Sequence, residues 1–246
     1  MNLITLPSVD STNNYAQQLL ESGLAPESTV ILALEQTSGR GQRGRSWESE
    51  PVMGLYFSLI LRPPATHAHR QFMLNKGIAV GVADYIAEQT DEDVHIKWPN
   101  DILINGKKVA GLLIENTLRG SQLSAVIVGV GVNLNQSSFS SEFGTEATSL
   151  KIVSGKKYAP VEEASSLYRK IWNQYQQFLA GEDERIDAQY MHLMYKRDEI
   201  AEFVQGEQIF EAIFKKVDQE GAAVLEKDGL MITVTHPQVR FLMRNK

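Results

Sequence analysis

The length, composition and charge of this chain exclude several classes of protein. It has 246 residues, 43% of them hydrophobic, and no cysteine, so it can bury a full core but has no disulfide framework, thiolate metal site or cysteine nucleophile. The net charge of −6 argues against a protein built to bind nucleic acid, and no apolar stretch is long enough to span a membrane. Residues 1–12 lack the charged and apolar regions of a signal peptide. We therefore expect a soluble, cytoplasmic protein that binds neither DNA nor a membrane.

The first part of the chain mixes predicted strands and helices. Apolar and β-branched runs predict strands at 2–6, 29–35, 54–61, 94–115 and 122–132, and helical spacing predicts helices at 12–22, 69–89, 161–179 and 184–195. Asn105-Gly106 between apolar runs indicates a hairpin turn. The helix at 69–89 is expected to bury one side, while residues 133–149 are polar and predicted to be irregular.

The pattern changes near the C-terminus. From about residue 198 the chain consists of short β segments, with Asp228-Gly229 as a hairpin turn. We place a boundary near 195–199, which gives a domain at 1–197 and a small β domain at 198–246. A β unit of this size has little core of its own, so we expect it to dock on the first domain. The predicted fold class is α+β.

A glycine-rich basic loop is the first segment whose residues are suited to binding a ligand. Within 36–52, Gly39, Gly41 and Gly44 alternate with Arg40, Arg43 and Arg45, and Trp47 follows. Glycines allow close approach of the backbone to a ligand, and guanidinium groups suit phosphate oxygens. A solvated basic loop or a nucleic-acid arm explains the composition equally well. The segment is not a Walker loop, because no GxxxxGK[ST] occurs.

A second segment surrounds the predicted hairpin, with Lys97 to Asp101 before it and Lys107 to Gly111 after it. The oxygens of Asn100 and Asp101 are suited to Mg²⁺ or a ribose, and one lysine after the turn is suited to a phosphoryl group. Taken singly, each residue also fits an ordinary turn or a solvated hairpin.

Two weaker segments complete the set. Gly129 to Asn135 is an apolar strand that ends in glycine and asparagine, which indicates either room for a flat ligand or a simple bulge. Asp10 to Asn13 is a helix cap that can also face a ligand. The five histidines fall in no metal-binding motif.

In this order, the segments resemble the biotin protein ligase family. The matching motifs are DSTN at 10–13, EQTSGRGQRGRSW at 35–47, KWPND at 97–101, KKVAGLLIE at 107–115 and GVGVNLN at 129–135. The resemblance implies a mixed-sheet catalytic domain of the biotin/lipoate ligase type, followed by a small SH3-like β domain. It also implies ATP and biotin as substrates, Mg²⁺ as cofactor, and transfer of biotin to a lysine of a biotin carboxyl carrier domain. Whether the chain forms a homodimer is left open.

The resemblance also assigns roles to residues. Lys108 and Arg40 are implied as catalytic residues. Biotin contacts are implied for Ser11, Thr12, Gln36, Gly39, Arg40 and Lys108, and ATP contacts for Arg43, Arg45, Trp47, Lys97, Asn100, Asp101 and Asn133, with Asp101 also a Mg²⁺ ligand. No general base is needed for the first step, because the nucleophile is an ionised carboxylate. Loop 36–52 is expected to be mobile until biotin or its adenylate binds.

Two departures from the family pattern matter. Gln42 stands where many members carry an arginine, so one phosphate-facing charge is absent. Because the DST motif stands at residue 10, we expect the protein to lack the N-terminal DNA-binding domain of some members. Three alternatives remain: a lipoate or octanoyl ligase of related fold, a biotin-sensing DNA repressor, and an inactive binding module. The loop with KWPND favours biotin, the acidic charge counts against a repressor, and Arg40 with Lys108 counts against an inactive module.

Overall fold

The computed structural model describes residues 1–139 and 146–243 and contains a seven-stranded mixed sheet. Its strands are β1 Asn2–Leu6, β2 Thr29–Ala33, β3 Gly54–Leu61, β4 Val94–Lys97, β5 Asp101–Ile104, β6 Lys107–Arg119 and β7 Gln122–Asn133, in the order β1-β2-β3-β7-β6-β5-β4. β1 and β2 run parallel, and all other neighbours are antiparallel. The predicted hairpin turn lies between β5 and β6.

Five helices occur in the described residues, and they cover both faces of this sheet. They are α1 Thr12–Glu21, α2 Gln71–Ala87, α3 Leu150–Ser154, α4 Pro160–Leu179 and α5 Asp183–His192. Successive strand residues point to opposite faces, so Ile31 packs with Ala16 of α1, whereas Val30 and Leu32 pack in the larger core with α2 and α4. The face that α1 covers is packed against fewer helices than the opposite face, and it is therefore the one that can carry a site.

The predicted elements recur with small shifts, and two expectations change. Residues 94–115 divide into β4, β5 and the first part of β6, and the short helix α3 was not predicted. The irregular structure predicted for 133–149 falls partly outside the described residues, at 140–145. The one-sided burial predicted for 69–89 is wrong. α2 is buried nearly all round, because the sheet covers one side and α4 and α5 cover others.

The C-terminal strands form a second, fully antiparallel sheet. They are β8 Ile200–Gln205, β9 Gln208–Val217, β10 Ala223–Lys227, β11 Leu230–Val234 and β12 Val239–Phe241, in the order β11-β10-β9-β8-β12. Phe203, Phe214 and Phe241 belong to the same apolar cluster as Trp98, whose indole N–H donates to the carbonyl oxygen of Gly221 at 2.9 Å. The α+β class with a separate C-terminal β-sheet is confirmed. A boundary at 197/198 and an SH3-like fold for this sheet remain predictions.

In the part of the chain that the structure describes, no helix has the length and apolar character needed to cross a membrane.

Candidate active site

The candidate site lies on the α1 face of the large sheet, where glycines leave an open floor. Tyr56, Gly131, Gly111 and Asp101 pair across β3, β7, β6 and β5, so all four point to this face. The two central members of the row have no side chain. The floor is therefore flat and bounded by Tyr56 on one side and Asp101 on the other.

A β-bulge brings Lys108 to this floor. Lys108 and Gly111 are three residues apart and would face opposite sides of a regular strand. The register of β6 against β5 shifts between Ile102 and Leu103, and Val109 and Ala110 both enter the core. This extra residue rotates the strand, and the Lys108 Nζ lies 3.2 Å from where a Cβ on Gly111 would stand.

The indole of Trp47 lies on the floor. A Cβ built on Gly131 would stand 2.4 Å from Trp47 Cε2, and one on Gly111 would stand 2.8 Å from Cζ3. The Lys108 ammonium lies 5.2 Å from the indole centroid. The Trp47 Nε1 is buried without a hydrogen-bond partner among the described residues. Only glycine fits at either position, which explains two glycines that the sequence pattern left ambiguous.

A buried polar network lines the deep end of the same pocket. The Gln36 side-chain oxygen accepts hydrogen bonds from the Thr12 backbone N–H at 2.8 Å and from the Thr12 hydroxyl at 3.1 Å. The Ser58 hydroxyl lies 2.7 Å from Thr12 Oγ1 and 2.6 Å from Asn13 Oδ1. Asn13 approaches so closely that a Cβ on Gly129 would stand 2.3 Å from its Oδ1. The network offers both donors and acceptors to a ligand.

Arg40 joins this network through Glu115. Its guanidinium donates to Glu115 Oε1 at 2.7 Å and to Asn14 Oδ1 at 2.7 Å. The second oxygen of Glu115 accepts from Asn13 Nδ2 at 2.7 Å. Both charged side chains are more than one-third exposed, so the ion pair itself contributes little to stability. Its effect is to hold Arg40 at the pocket rim.

Asp101 is paired with two lysines. Lys108 Nζ lies 2.7 Å from Asp101 Oδ1, and Lys97 Nζ lies 3.6 Å from Oδ2. Burial raises the pKa of Asp101, but the two ammonium groups outweigh burial and hold this pKa below its ordinary value. The carboxylate is thus ionised, and it steers Lys108 toward the floor.

This pairing does not fit the predicted Mg²⁺ ligand at Asp101. Both carboxylate oxygens already face ammonium groups, which would repel a divalent cation. Among the described residues, no three histidine, aspartate or glutamate side chains gather as a metal site. The described residues therefore do not provide a site for a resident Mg²⁺ at Asp101.

Two adjoining pockets share Trp47 and Lys108. The first has a volume of about 470 Å³, including space open to solvent, and is lined by the polar network, the glycine floor and Gln42. The second has a volume of about 630 Å³, again including space open to solvent, and is lined by Asn133, Glu48 and Phe139. Lys108 thus stands where groups bound in the two pockets would meet.

The structure brings most of the predicted site residues together. Ser11, Thr12, Gln36, Arg40, Trp47, Asn100 and Lys108 line the first pocket, and Trp47, Lys108 and Asn133 line the second. Gly39, Arg43, Arg45, Lys97 and Asp101 line neither pocket. Gly39 has a packing role, because its Cβ would stand 2.5 Å from the Trp47 carbonyl oxygen. The amides of Asn100 and Asn133 bond to the carbonyls of Leu112 and Thr148.

Sequence reasoning missed three residues that shape the pocket. Asn13 and Glu115 stand inside the quoted motifs, yet their link emerges only when α1 packs on β3 and β7, which brings Asn13 to the neighbouring strand β6. Ser58 lies in the apolar run of β3, where one serine among seven other strand residues was the only available signal. The mobility predicted for loop 36–52 remains a prediction. In the structure its start is bonded to Val9 and its end to the Tyr56 hydroxyl.

Comparison with known proteins agrees with this geometry. The model of the biotin/lipoate A/B protein ligase family matches residues 5–133, which is more than half of the chain. The chain belongs to the biotin/lipoate A/B protein ligase family. The matched range contains the glycine floor, the polar network and the basic loop. The resemblance drawn from the motifs is thereby confirmed at the level of the family.

Curated relatives match part of this chain. The bifunctional ligase/repressor BirA of Bacillus spizizenii is 42% identical over 161 residues, covering 63% of this chain and 48% of the relative. The biotin–[acetyl-CoA-carboxylase] ligase of Paracoccus denitrificans is 42% identical over 130 residues, covering 52% of this chain and 53% of the relative. The chain thus matches about half the length of these curated relatives.

A solved structure matches nearly the whole chain. The biotin protein ligase of Aquifex aeolicus, in complex with biotin and ATP, superposes with a TM-score of 0.80 at 27% identity, covering 99% of both chains. The biotin/lipoate ligase fold predicted for the chain is confirmed.

Proposed function

We propose that this protein is a biotin protein ligase, which activates biotin with ATP to biotinyl-5′-AMP and transfers biotin to a lysine of a carrier domain. The observation that carries the proposal is the pair of pockets that meet at Lys108. One pocket has polar groups suited to a ureido ring, and the other is open enough for a nucleotide. Membership of the ligase family and the likeness to a structure with biotin and ATP support it.

The first pocket suits biotin better than a purely apolar acid. A ureido ring has two N–H donors and one carbonyl acceptor, and Thr12, Ser58 and Asn13 present hydroxyl and amide groups in the same small space. Lipoate carries a dithiolane ring, which offers these groups neither an N–H donor nor a carbonyl acceptor. The polar network therefore favours biotin over the lipoate alternative.

The chemistry needs little from the protein beyond positioning and charge. The biotin carboxylate attacks the α-phosphorus of ATP, an O–P bond forms, and the bond to the bridging oxygen breaks to release pyrophosphate. Lys108 is placed to neutralise the charge that gathers on the phosphoryl oxygens, with Asp101 fixing its direction. In the second step the carrier lysine attacks the acyl carbon, and AMP leaves.

The partner in this proposal is a biotin carboxyl carrier domain. The relatives named as biotin–[acetyl-CoA-carboxylase] ligases support a carrier of that type. We also propose that the protein acts in the cytoplasm, where ATP and such carriers occur.

We expect pyrophosphate release from ATP only when biotin is present, and protein-bound biotin only when a carrier domain is added. The measurement is a coupled pyrophosphate assay run in parallel with biotin, lipoate and no acid, followed by mass spectrometry of the carrier. Lipoate supporting turnover equal to biotin would refute the assignment. Biotin binding without pyrophosphate release would favour the inactive binding module.

We expect the side chain at position 42 to affect how fast biotinyl-adenylate escapes from the site. Gln42 lines the first pocket, and its neutral amide cannot form the charge-assisted bond to phosphate that an arginine would form. We expect Gln42→Arg to slow escape of biotinyl-adenylate by roughly tenfold, the effect of about one hydrogen bond to a charged group.

Trapping of released adenylate by a free amine measures this escape. Gln18→Arg is the control, because it adds the same charge on an exposed part of α1. Equal trapping by the wild type and the Gln42→Arg variant would contradict the prediction.

A further inference from the structure

The turn between β11 and β12 of the C-terminal sheet contacts the basic loop 36–52. His236 lies in this turn, and its carbonyl oxygen accepts a hydrogen bond from the guanidinium of Arg43 in loop 36–52. The imidazole of His236 packs edge-on against the indole of Trp98, with 5.6 Å between ring centroids. Trp98 directly follows Lys97 in the chain. One turn of the C-terminal sheet thus contacts both segments to which ATP contacts are assigned.

The charges around His236 are mostly positive. Burial lowers the pKa of the imidazole, Arg43, Arg45 and Lys97 lower it further, and Asp101 alone raises it. At neutral pH the imidazole is therefore neutral and offers one N–H donor. Arg43, Arg45 and Lys97 gather around this one imidazole, and cations gathered at one place create a positive field that attracts an anion.

We propose that His236 is a further ATP-binding residue, which joins Arg43 and Arg45 in a subsite for the β- and γ-phosphates that leave as pyrophosphate. Its carbonyl oxygen positions Arg43, and its ring N–H donates to a phosphate oxygen. Arg43 has a positive φ of 57°, a conformation that non-glycine residues adopt only when their surroundings impose it. This inference rests on the proposed function.

His236 lies outside the part of the chain that the family model matches. The family model ends at residue 133, so it says nothing of a residue supplied by the C-terminal sheet. None of the motifs includes His236. The assignment gives the C-terminal sheet a direct part in nucleotide binding.

Two substitutions separate the donor from the packing of the ring. His236→Phe keeps an aromatic ring against Trp98 but removes the N–H, and His236→Gln keeps a donor. Gln238→Ala is the matched control, since its side chain bonds to Thr235 in the same turn. The quantities to measure are kcat, KM for Mg·ATP, KM for biotin, the inhibition constant of pyrophosphate, and the calorimetric Kd of pyrophosphate.

For His236→Phe we expect the KM for Mg·ATP and both pyrophosphate constants to rise roughly threefold to tenfold, as for the loss of one hydrogen bond. KM for biotin should stay at the wild-type value, His236→Gln should recover part of the loss, and Gln238→Ala should behave as wild type. Unchanged pyrophosphate constants in His236→Phe would overturn the inference. Equal rises in KM for ATP and biotin with a lower Tm would overturn it too, because they indicate a structural role.

The pyrophosphate titration also separates this inference from the proposed function. If the wild type releases no pyrophosphate with biotin, the proposed ligase activity fails. Tight binding of pyrophosphate to the wild type and weaker binding to His236→Phe would still support the subsite.

Discussion

Lys108→Ala is expected to slow formation of biotinyl-adenylate by about 10²- to 10³-fold, while biotin binding changes much less. The ammonium of Lys108 points at the meeting place of the two pockets, where negative charge grows in the transition state. A group aimed at developing charge acts more strongly on the transition state than on the bound substrate. Asp101 keeps Lys97 as a counter-charge in the variant, so its carboxylate is not left unpaired.

Rapid-quench measurement of the first half-reaction checks this rate, with biotin affinity measured by calorimetry. Lys107→Ala is the matched control, because this neighbouring lysine is exposed and lines neither pocket. A wild-type rate of adenylate formation in Lys108→Ala would exclude the catalytic role. An equal loss in Lys107→Ala would show that the effect comes from the general charge of the hairpin.

Gly129→Ala is expected to raise KM for biotin by roughly tenfold to a hundredfold, with a much smaller change in KM for ATP. The new methyl group would stand 2.3 Å from Asn13 Oδ1, so Asn13 must move and its bond from Ser58 must break. Overpacking of this kind costs about 1–3 kcal/mol. The cost falls on the pocket that we assign to biotin.

The cause can be tested by a double-mutant cycle with Asn13→Ala. If the collision with Asn13 produces the effect, Gly129→Ala should change little when Asn13 is already alanine. Gly77→Ala in α2 is the control, since its added methyl group would meet Ile186 at an ordinary 3.6 Å. Full effects of Gly129→Ala in both backgrounds, or a collapse of Tm, would contradict a local role.

The local elements followed from the sequence because their signals are local. Apolar β-branched runs gave β2, β3 and β7, and Asn105-Gly106 gave the turn between β5 and β6 within one or two residues. The ordered motifs gave the family, since the set in this order is far more specific than any one of its members. The change to short β segments near residue 198 predicted the second sheet, whose first strand begins at Ile200.

The arrangement of the site depended on contacts that no local pattern contains. Lys108 reaches the glycine floor only because a bulge adds one residue to β6, and Asp101 is better matched to two lysines than to a metal because β5 and β6 bring all three together. Register shifts and cross-strand pairing depend on the whole sheet. Periodicity within a single strand therefore cannot reveal them.

The sequence by itself determined most of the secondary structure, the ligase family and most of the residues that line the two pockets. The tertiary structure decided which residues meet: Asn13 with Glu115 once α1 packs on β3 and β7, and Arg43 with His236 across 193 positions of the chain. The physical reason is that side-chain chemistry and secondary-structure propensity depend on short segments of sequence. Close approach between distant segments is set by glycines, bulges and shared cores, which act only once the sheets have formed.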